Sequence, residues 1–325
     1  LLDIGCGNGA LAIKAAKKWP QLRVVGIDSW GKAWGYSRRQ CEENAKLENV
    51  AAHVSVRAGD AANPFDVGPA QAEWLRICQG WKHDYPVVLP KHMNGGTETE
   101  ANVYAFAYEM SRRLNENQIV VVGNGSANVV CGHANIVKKG QRFISNSGIA
   151  SMGYGLPASI GACVADHSQD IILITGDGSI QMNLQELETV VSHRMPIKIF
   201  IINNGGYHSI RQTQKNFFGE PLIGIGVDSG DLGFPSMEKL AWAYGFPYVS
   251  IHGNEELGEK VEETLAMDGP VICEVFVTLD QNFEPKSAAK RLPDGTLVSP
   301  PLEDLSPFLP DEEMDRIMLI PRIKK

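Results

Sequence analysis

What this 325-residue chain has little of closes off several classes of protein. Its six cysteines, at 6, 41, 78, 131, 163 and 273, are scattered without C-x-x-C spacing, so neither a zinc site nor a disulfide scaffold is expected. Reduced thiols in a cytoplasm fit that pattern, and Cys163 and Cys273, lying in apolar stretches, read as small core residues. No apolar run approaches the ~18 residues of a membrane span, and no secretory leader is visible, so no membrane partner is expected. Basic residues are outnumbered, 30 against 38 acidic, and the net charge of −8 with a pI near 5.5 argues against nucleic acid as a partner. Internal repeats and long low-complexity segments are absent.

What remains is a chain 43% hydrophobic and long enough for two units. Beyond residue 98, helix candidates (103–114, 156–164, 183–193, 237–244, 255–267) alternate with strand candidates (119–122, 170–175, 197–202, 248–251, 271–277). That rhythm predicts an α/β fold, a doubly wound parallel sheet covered by helices on both faces.

One stretch concentrates the chemistry. Ile171-Ile172-Leu173-Ile174-Thr175 reads as a buried strand ending at Gly176-Asp177-Gly178-Ser179, and a second apolar run, 197–202, ends in Asn203-Asn204. Asp177 and Asn204 are 27 residues apart, the length of one helix plus one strand returning to the same sheet edge. In open α/β sheets ligands bind at that edge, and glycines beside the acid let backbone approach phosphate oxygens. A carboxylate, an amide oxygen and a backbone carbonyl together suit Mg²⁺, which prefers hard oxygen ligands and shares its shell with phosphates.

This segment resembles the signature of thiamine diphosphate enzymes, and residues 70–315 resemble the cofactor-binding C-terminal domain of acetolactate synthase catalytic subunits. The resemblance implies Asp177, the Asn204 side chain and the Gly206 carbonyl as Mg²⁺ ligands, with Gly176, Gly178 and Ser179 near the diphosphate and Tyr207 beside the cofactor. Gly123-Asn124-Gly125-Ser126 is similar to the family's diphosphate-touching turn, with Gly123, Gly125 and Ser126 as its contacts. Ser147 to Pro157 is similar to the stretch in which a large apolar side chain, here Met152, supports the bent cofactor. Arg291-Leu292-Pro293-Asp294-Gly295 and Pro301 to Pro310 look like the tail that folds over the site.

The implied activity is decarboxylation of a 2-oxo acid substrate, such as pyruvate, with transfer of the acyl-equivalent group to a carbonyl acceptor. In the family a glutamate from a pyrimidine-binding domain, normally of another chain, drives the cofactor's tautomerisation. No stretch here resembles that domain or the FAD-binding middle domain, so FAD is not expected, and a homo- or hetero-oligomer supplying the glutamate is. Glu186 and Glu188 read as ordinary helix-surface acids.

Specificity is less determined. Tyr207-His208-Ser209 and Thr213 stand where typical members carry Leu-Gly-Met and a tryptophan, which suggests a roomier or more polar pocket and bulkier acceptors. His208 is a candidate proton donor near neutral pH or, alternatively, a residue that packs in the turn and positions the loop.

The N-terminus reads differently. Leu1 to Ile4 forms an apolar strand running into Gly5, Gly7 and Gly9; a second strand, 22–27, ends at Asp28, and a third, 54–56, leads to Gly59-Asp60. Such glycines allow a tight turn and close ligand approach, and an acid after the second strand can bind ribose hydroxyls. The run resembles the first half of a class I S-adenosylmethionine-dependent methyltransferase. That resemblance places Asp3, Gly5, Gly7 and Gly9 around the methionine part, Asp28 at the ribose and Asp60 at the adenine of S-adenosylmethionine.

The expected plan is therefore a partial Rossmann-like βαβαβ unit over 1–63, a junction over 64–98, the thiamine diphosphate domain over 99–280 and a tail or lid over 281–325. Leu1 in place of an initiator methionine suggests a chain that begins inside a larger protein. Two alternatives stand beside the thiamine diphosphate reading: a methyltransferase fragment, and a noncatalytic fusion fragment.

Overall fold

The computed structural model describes residues 1–30, 35–59, 70–279, 281–320 and 322, which fall into two compact units, Leu1–Asp84 and Tyr85–Lys325. Asp60 and junction residues 64–69 lie outside the described residues.

The first unit runs β1 (Leu2–Ile4), α1 (Ala10–Lys18), β2 (Val24–Asp28), α2 (Arg38–Leu47), β3 (Val54–Ala58) and α3 (Ala70–Asp84). The three strands pair in parallel with β2 at the centre, the expected βαβαβ pattern. Ala12 and Ala16 of α1, Ala45 of α2, Val24 and Val50 form one small core. Leu2 and Ile4 project elsewhere and remain about half exposed, at 49% and 57%. Ser37 caps α2 by accepting the Gln40 N–H, satisfying one of the orphan donors of a helix start. The junction sequence conceals α3, whose Trp74 and Trp81 meet edge to face at 5.6 Å.

The second unit continues with α4 (Pro90–Met93), α5 (Val103–Arg113), β4 (Ile119–Val122), α6 (Ser126–Ala134), β5 (Arg142–Ile144), α7 (Gly155–Ala165) and β6 (Ile171–Gly176). Then come α8 (Asp177–Ile180), α9 (Glu186–Ser192), β7 (Ile197–Asn203), α10 (His208–Phe217), α11 (Met237–Tyr244), β8 (Tyr248–Ile251), α12 (Leu257–Ala266) and β9 (Val271–Phe276). A tail carries a short hairpin, β10 (Lys290–Arg291) and β11 (Leu297–Val298), and a last helix, α13 (Asp311–Ile317).

Six strands form one parallel sheet in the order β5-β4-β6-β7-β9-β8. Alternation along the strands sorts their side chains into two cores. Val120, Val122, Ile172, Ile174, Phe200 and Ile202 face α5, α6 and α12, whereas Val121, Leu173, Ile199 and Ile201 face α7, α9 and α11. This is the doubly wound parallel sheet the sequence predicts. Each fully buried branched aliphatic side chain contributes about 1.5–3 kcal/mol, so β6 and β7, buried on both faces and apolar there but for Lys198 and Thr175, form its centre.

The tail is tied to the sheet's helices near its start. The Glu284 N–H donates to the Tyr104 hydroxyl at 2.7 Å, and Asn102, which caps α5, donates through Nδ2 to Gln281 Oε1 at 2.7 Å. Among the described residues no helix is long and apolar enough to cross a membrane.

Candidate functional site

β6 and β7 are neighbours whose six-residue register brings Gly176 opposite Ile202, so the segments leaving their carboxyl ends emerge side by side. Asp177 follows β6 at once and is only 2% exposed. Its Oδ1 accepts the Gly178 N–H and its Oδ2 the Gly206 N–H, both at 2.8 Å. Burial nevertheless dominates and pushes the carboxyl up to about 7, against the pull of those two N–H groups.

The loop after β7 is fixed residue by residue. Asn203 accepts the Gly205 N–H at 3.0 Å and donates to Glu274 at 2.6 Å; Tyr248 holds the other Glu274 oxygen at 2.5 Å. Asn204 donates through Nδ2 to Ser126 Oγ at 3.0 Å, which leaves its amide oxygen as the end able to take a cation. Gly206 bridges to Gly226 and has φ +128; a Cβ there would stand 2.1 Å from the Ile225 carbonyl oxygen, so only glycine fits.

The remaining expected residues converge on the same edge. Gly125 and Ser126 sit at the start of α6. Ser179 accepts the Gly153 N–H at 3.0 Å, and Asn183 donates to the Gly153 carbonyl at 2.8 Å, pinning the turn that presents Met152. The Tyr207 ring lies over Gly178, where a Cβ would be 2.5 Å from the ring, and meets Phe234 edge to face.

A cavity of about 100 Å³ is lined by Asn124, Gly125 and Ser126, by Met152, by 176–179, and by Asn204 and 206–210. Ligand sites usually enclose roughly 300–1,000 Å³, so this space suits the metal and diphosphate end of a cofactor whose remainder extends outside it. Two larger hollows, of ≈490 and ≈590 Å³, lie around Asn117 with Asp170 and around Gly96 with Asn254. Neither touches Asp177 or its glycine turns.

Of the expected cofactor residues only Gly123 is outside the lining; it packs behind it, with room for no Cβ beyond 3.0 Å from Thr175 Oγ1. Thr213 is also outside the cavity, on the exposed side of α10 with its hydroxyl on the Ser209 carbonyl. His208 is buried, 6% exposed, with Nε2 at 3.1 Å from the Gln281 carbonyl and Nδ1 at 3.4 Å from Arg211 Nη1. Because arginine can only donate, Nδ1 is the acceptor on that side, while Nε2 faces both the Gln281 carbonyl and, at 2.9 Å, the Gln212 side-chain amide. Burial lowers its pKa, with the nearby Arg211 acting in the same direction.

Glu188 is exposed and Glu186 half-buried, each bonded to a hydroxyl on its own helix. Cys163 and Cys273 are buried.

The donor set fits Mg²⁺: a buried carboxylate that burial alone would protonate near neutrality, one amide oxygen and one carbonyl, all hard oxygens. Among the described residues no cluster of three His, Cys, Asp or Glu side chains offers an alternative metal site.

Residues 120–275 match the family model described as thiamine pyrophosphate enzyme, C-terminal TPP binding domain. This segment belongs to that family. The thiamine pyrophosphate domain is also what its relatives share. The chain is 32% identical over 228 residues to an acetolactate synthase large subunit of Porphyra purpurea, covering 70% of this chain and 37% of that protein. For the large subunit of Pyropia yezoensis the values are 32% over 246 residues, 75% and 40%. For the mitochondrial acetolactate synthase of Schizosaccharomyces pombe they are 28% over 233 residues, 72% and 34%. The chain thus spans 40% or less of the length of these relatives. Residues 1–82 match a methyltransferase domain model.

In that first unit Gly5, Gly7 and Gly9 all have φ between +52 and +86, the left-handed turn a close-packed glycine loop needs. Asp28 accepts the Gly7 N–H at 2.8 Å and the Trp30 N–H at 2.9 Å, and Trp30 Nε1 returns to the Gly7 carbonyl at 2.8 Å. Asp3 is 8% exposed and accepts the Ala12 N–H at 3.1 Å, so its carboxylate ties β1 to α1.

Asn124 and Ile210 line the cavity without having been singled out. Asn124 lies within the quoted turn and was within reach of the sequence; Ile210, an apolar residue on a helix not foreseen, carried no signal.

Proposed function

We propose that the chain is the thiamine diphosphate- and Mg²⁺-binding part of an acetolactate synthase-like enzyme, which decarboxylates a 2-oxo acid such as pyruvate and transfers the acyl-equivalent group to a carbonyl acceptor. The observation that carries this reading is the Asp177 carboxylate, 2% exposed at the end of β6, with the Gly206 N–H of the loop after β7 on its Oδ2. Bound thiamine diphosphate supplies the electron sink that cleavage of a carbon–carbon bond beside a carbonyl requires.

Asp177, the Asn204 amide oxygen and the Gly206 carbonyl would hold Mg²⁺. Gly125, Ser126, Gly176, Gly178 and Ser179 would receive the diphosphate, where glycine lets backbone N–H groups come close. Met152, 40% exposed at the rim, and Tyr207 would flank the cofactor's rings. His208, engaged at both nitrogens, fits a role in fixing the loop to Gln281 better than one in moving protons. The glutamate that activates the cofactor would come from a pyrimidine-binding domain of another chain, so the working form is an oligomer; a cytoplasmic location suits reduced thiols.

Calorimetric titration of the chain with thiamine diphosphate, with and without Mg²⁺, tests the reading. Mg²⁺-dependent binding that is lost in Asp177→Ala supports it, and absence of binding by folded chain removes it.

The first unit supports a second reading, S-adenosylmethionine binding, because Asp28 at the end of β2 anchors the left-handed glycine loop. Gly5, Gly7 and Gly9 would approach the methionine part and Asp28 the ribose. Titration with S-adenosylmethionine, and loss of any binding in Asp28→Ala, decides it.

A further inference from the structure

Arg211 heads the fully buried side chains in volume among the described residues, at 1% exposure. Its guanidinium is held on two sides. Nε and Nη2 donate to the two Asp228 oxygens at 2.8 and 2.9 Å, a bidentate pair. Nη1 donates to the Asn204 carbonyl and Nη2 to the Gly205 carbonyl, both at 3.1 Å.

Burying a cation costs several kcal/mol unless it is paired, and a buried ion pair is seldom more stabilising than well-packed apolar residues of the same volume. Stability by itself therefore does not call for an arginine here. What apolar residues cannot supply is a donor pair spanning two consecutive carbonyls. Those carbonyls immediately precede Gly206 and belong to the loop that carries the Asn204 amide.

We infer that Arg211, oriented by Asp228, is a positioning residue for the Mg²⁺ half-site: it fixes the Asn204–Gly205 backbone so that the Asn204 amide oxygen and the Gly206 carbonyl face Asp177. This rests on the function proposed above. Gly226 supports the same arrangement, since a Cβ there would stand 1.9 Å from the Gly205 carbonyl oxygen and 3.2 Å from Nη2, leaving no room beside the clamp. Lysine keeps the charge but, as a single ammonium on a flexible stem, cannot hold Asp228 and two carbonyls in one plane.

The test measures Mg²⁺ affinity of the full chain by calorimetry at saturating thiamine diphosphate, together with the unfolding midpoint in Mg²⁺-free buffer. Arg211→Lys is expected to bind Mg²⁺ about 10–100-fold more weakly, the usual effect of removing a group that orients a metal ligand. Val261→Ala, a core truncation on α12, is the control: it lowers the midpoint and keeps wild-type Mg²⁺ affinity. Wild-type affinity in Arg211→Lys overturns the inference, as does an equal loss of affinity in Val261→Ala. Should Arg211→Lys fail to fold, Asp228→Asn decides, with weaker Mg²⁺ binding expected and unchanged binding overturning the inference. Failure of the wild-type chain to bind Mg²⁺ with thiamine diphosphate is a separate result that removes the proposed function itself.

Discussion

Asp177 and Gly206 are 29 residues apart in the chain, yet the Gly206 N–H donates to Asp177 Oδ2 at 2.8 Å. One side chain thereby holds the two segments that leave β6 and β7, and its charge state is tied to both.

With its carboxyl pushed up to about 7, Asp177 in Mg²⁺-free protein keeps a proton that the unfolded chain has already lost above its ordinary value of 3.8. The native state then binds more protons than the unfolded state, so this group lowers stability as pH rises from about 4 to about 7. Mg²⁺ requires the charged form. Below pH 7 its binding should release up to one proton, and its affinity should fall about tenfold per pH unit. Calorimetry at pH 6 in buffers of different ionisation enthalpy checks this; proton release no greater than at pH 8.5 would contradict it.

Gly178 and Tyr207 offer a packing test. A Cβ at Gly178 would lie 2.5 Å from the Tyr207 ring, so Gly178→Ala must displace the ring or strain the turn. Overpacking of this kind costs about 1–3 kcal/mol. Measured against Tyr207→Ala in a double-mutant cycle, most of that cost should vanish, giving a coupling of about 0.5–3 kcal/mol. Additive effects would show that the ring does not occupy this position.

The acid limb of the stability profile should come partly from His92. This residue is 1% exposed and stacks on Tyr104 at 4.6 Å; its Nδ1 accepts the Leu89 N–H at 3.1 Å, and its buried Nε2 has no hydrogen-bond partner among the described residues. Burial lowers its pKa below 6.5, with Lys91 adding to the effect. Its contribution is therefore complete above pH 6.5 and is lost as pH falls toward the depressed native value. His92→Gln should flatten denaturant-unfolding stability between pH 6.5 and 5 relative to wild type; an unchanged slope there would exclude this origin.

The sheet and the metal-facing residues were legible because their signals are local. Ile171–Ile174 is an unbroken apolar run and 197–202 is apolar but for Lys198, each lying a few residues before its functional residue, and they became β6 and β7 with Asp177 and Asn204 just past their ends. The stretch 183–193 was legible only in part: Leu184, Leu187 and Val190 have helical spacing, but the chain forms the short α8, a 3₁₀ turn at Gln181–Asn183 and then α9. There Gln181 donates back to the Asp177 carbonyl four residues before it, and Asn183 turns to Gly153, 30 residues away, side-chain demands that periodicity does not encode. Arg211 was illegible for the same reason. Two of its acceptors are backbone carbonyls, which no letter of the sequence distinguishes, and Asp228 lies 17 residues away with no regular element linking them. Glu274, buried in the middle of β9, was illegible likewise, because its partners Asn203 and Tyr248 lie on the two neighbouring strands.

The adjacency of β6 and β7 also separates spacing from chain length. Asp177 and Asn204 are located by a hydrogen-bonded ladder between strands, whereas the 27-residue path between them runs out through α8 and α9 and back. An insertion at the His193–Arg194 turn, far along the chain from either ligand-bearing end, lengthens that path without altering the ladder. The tolerance of this domain to added residues is therefore asymmetric: generous where the strands begin, and close to nil in the few positions that follow their ends.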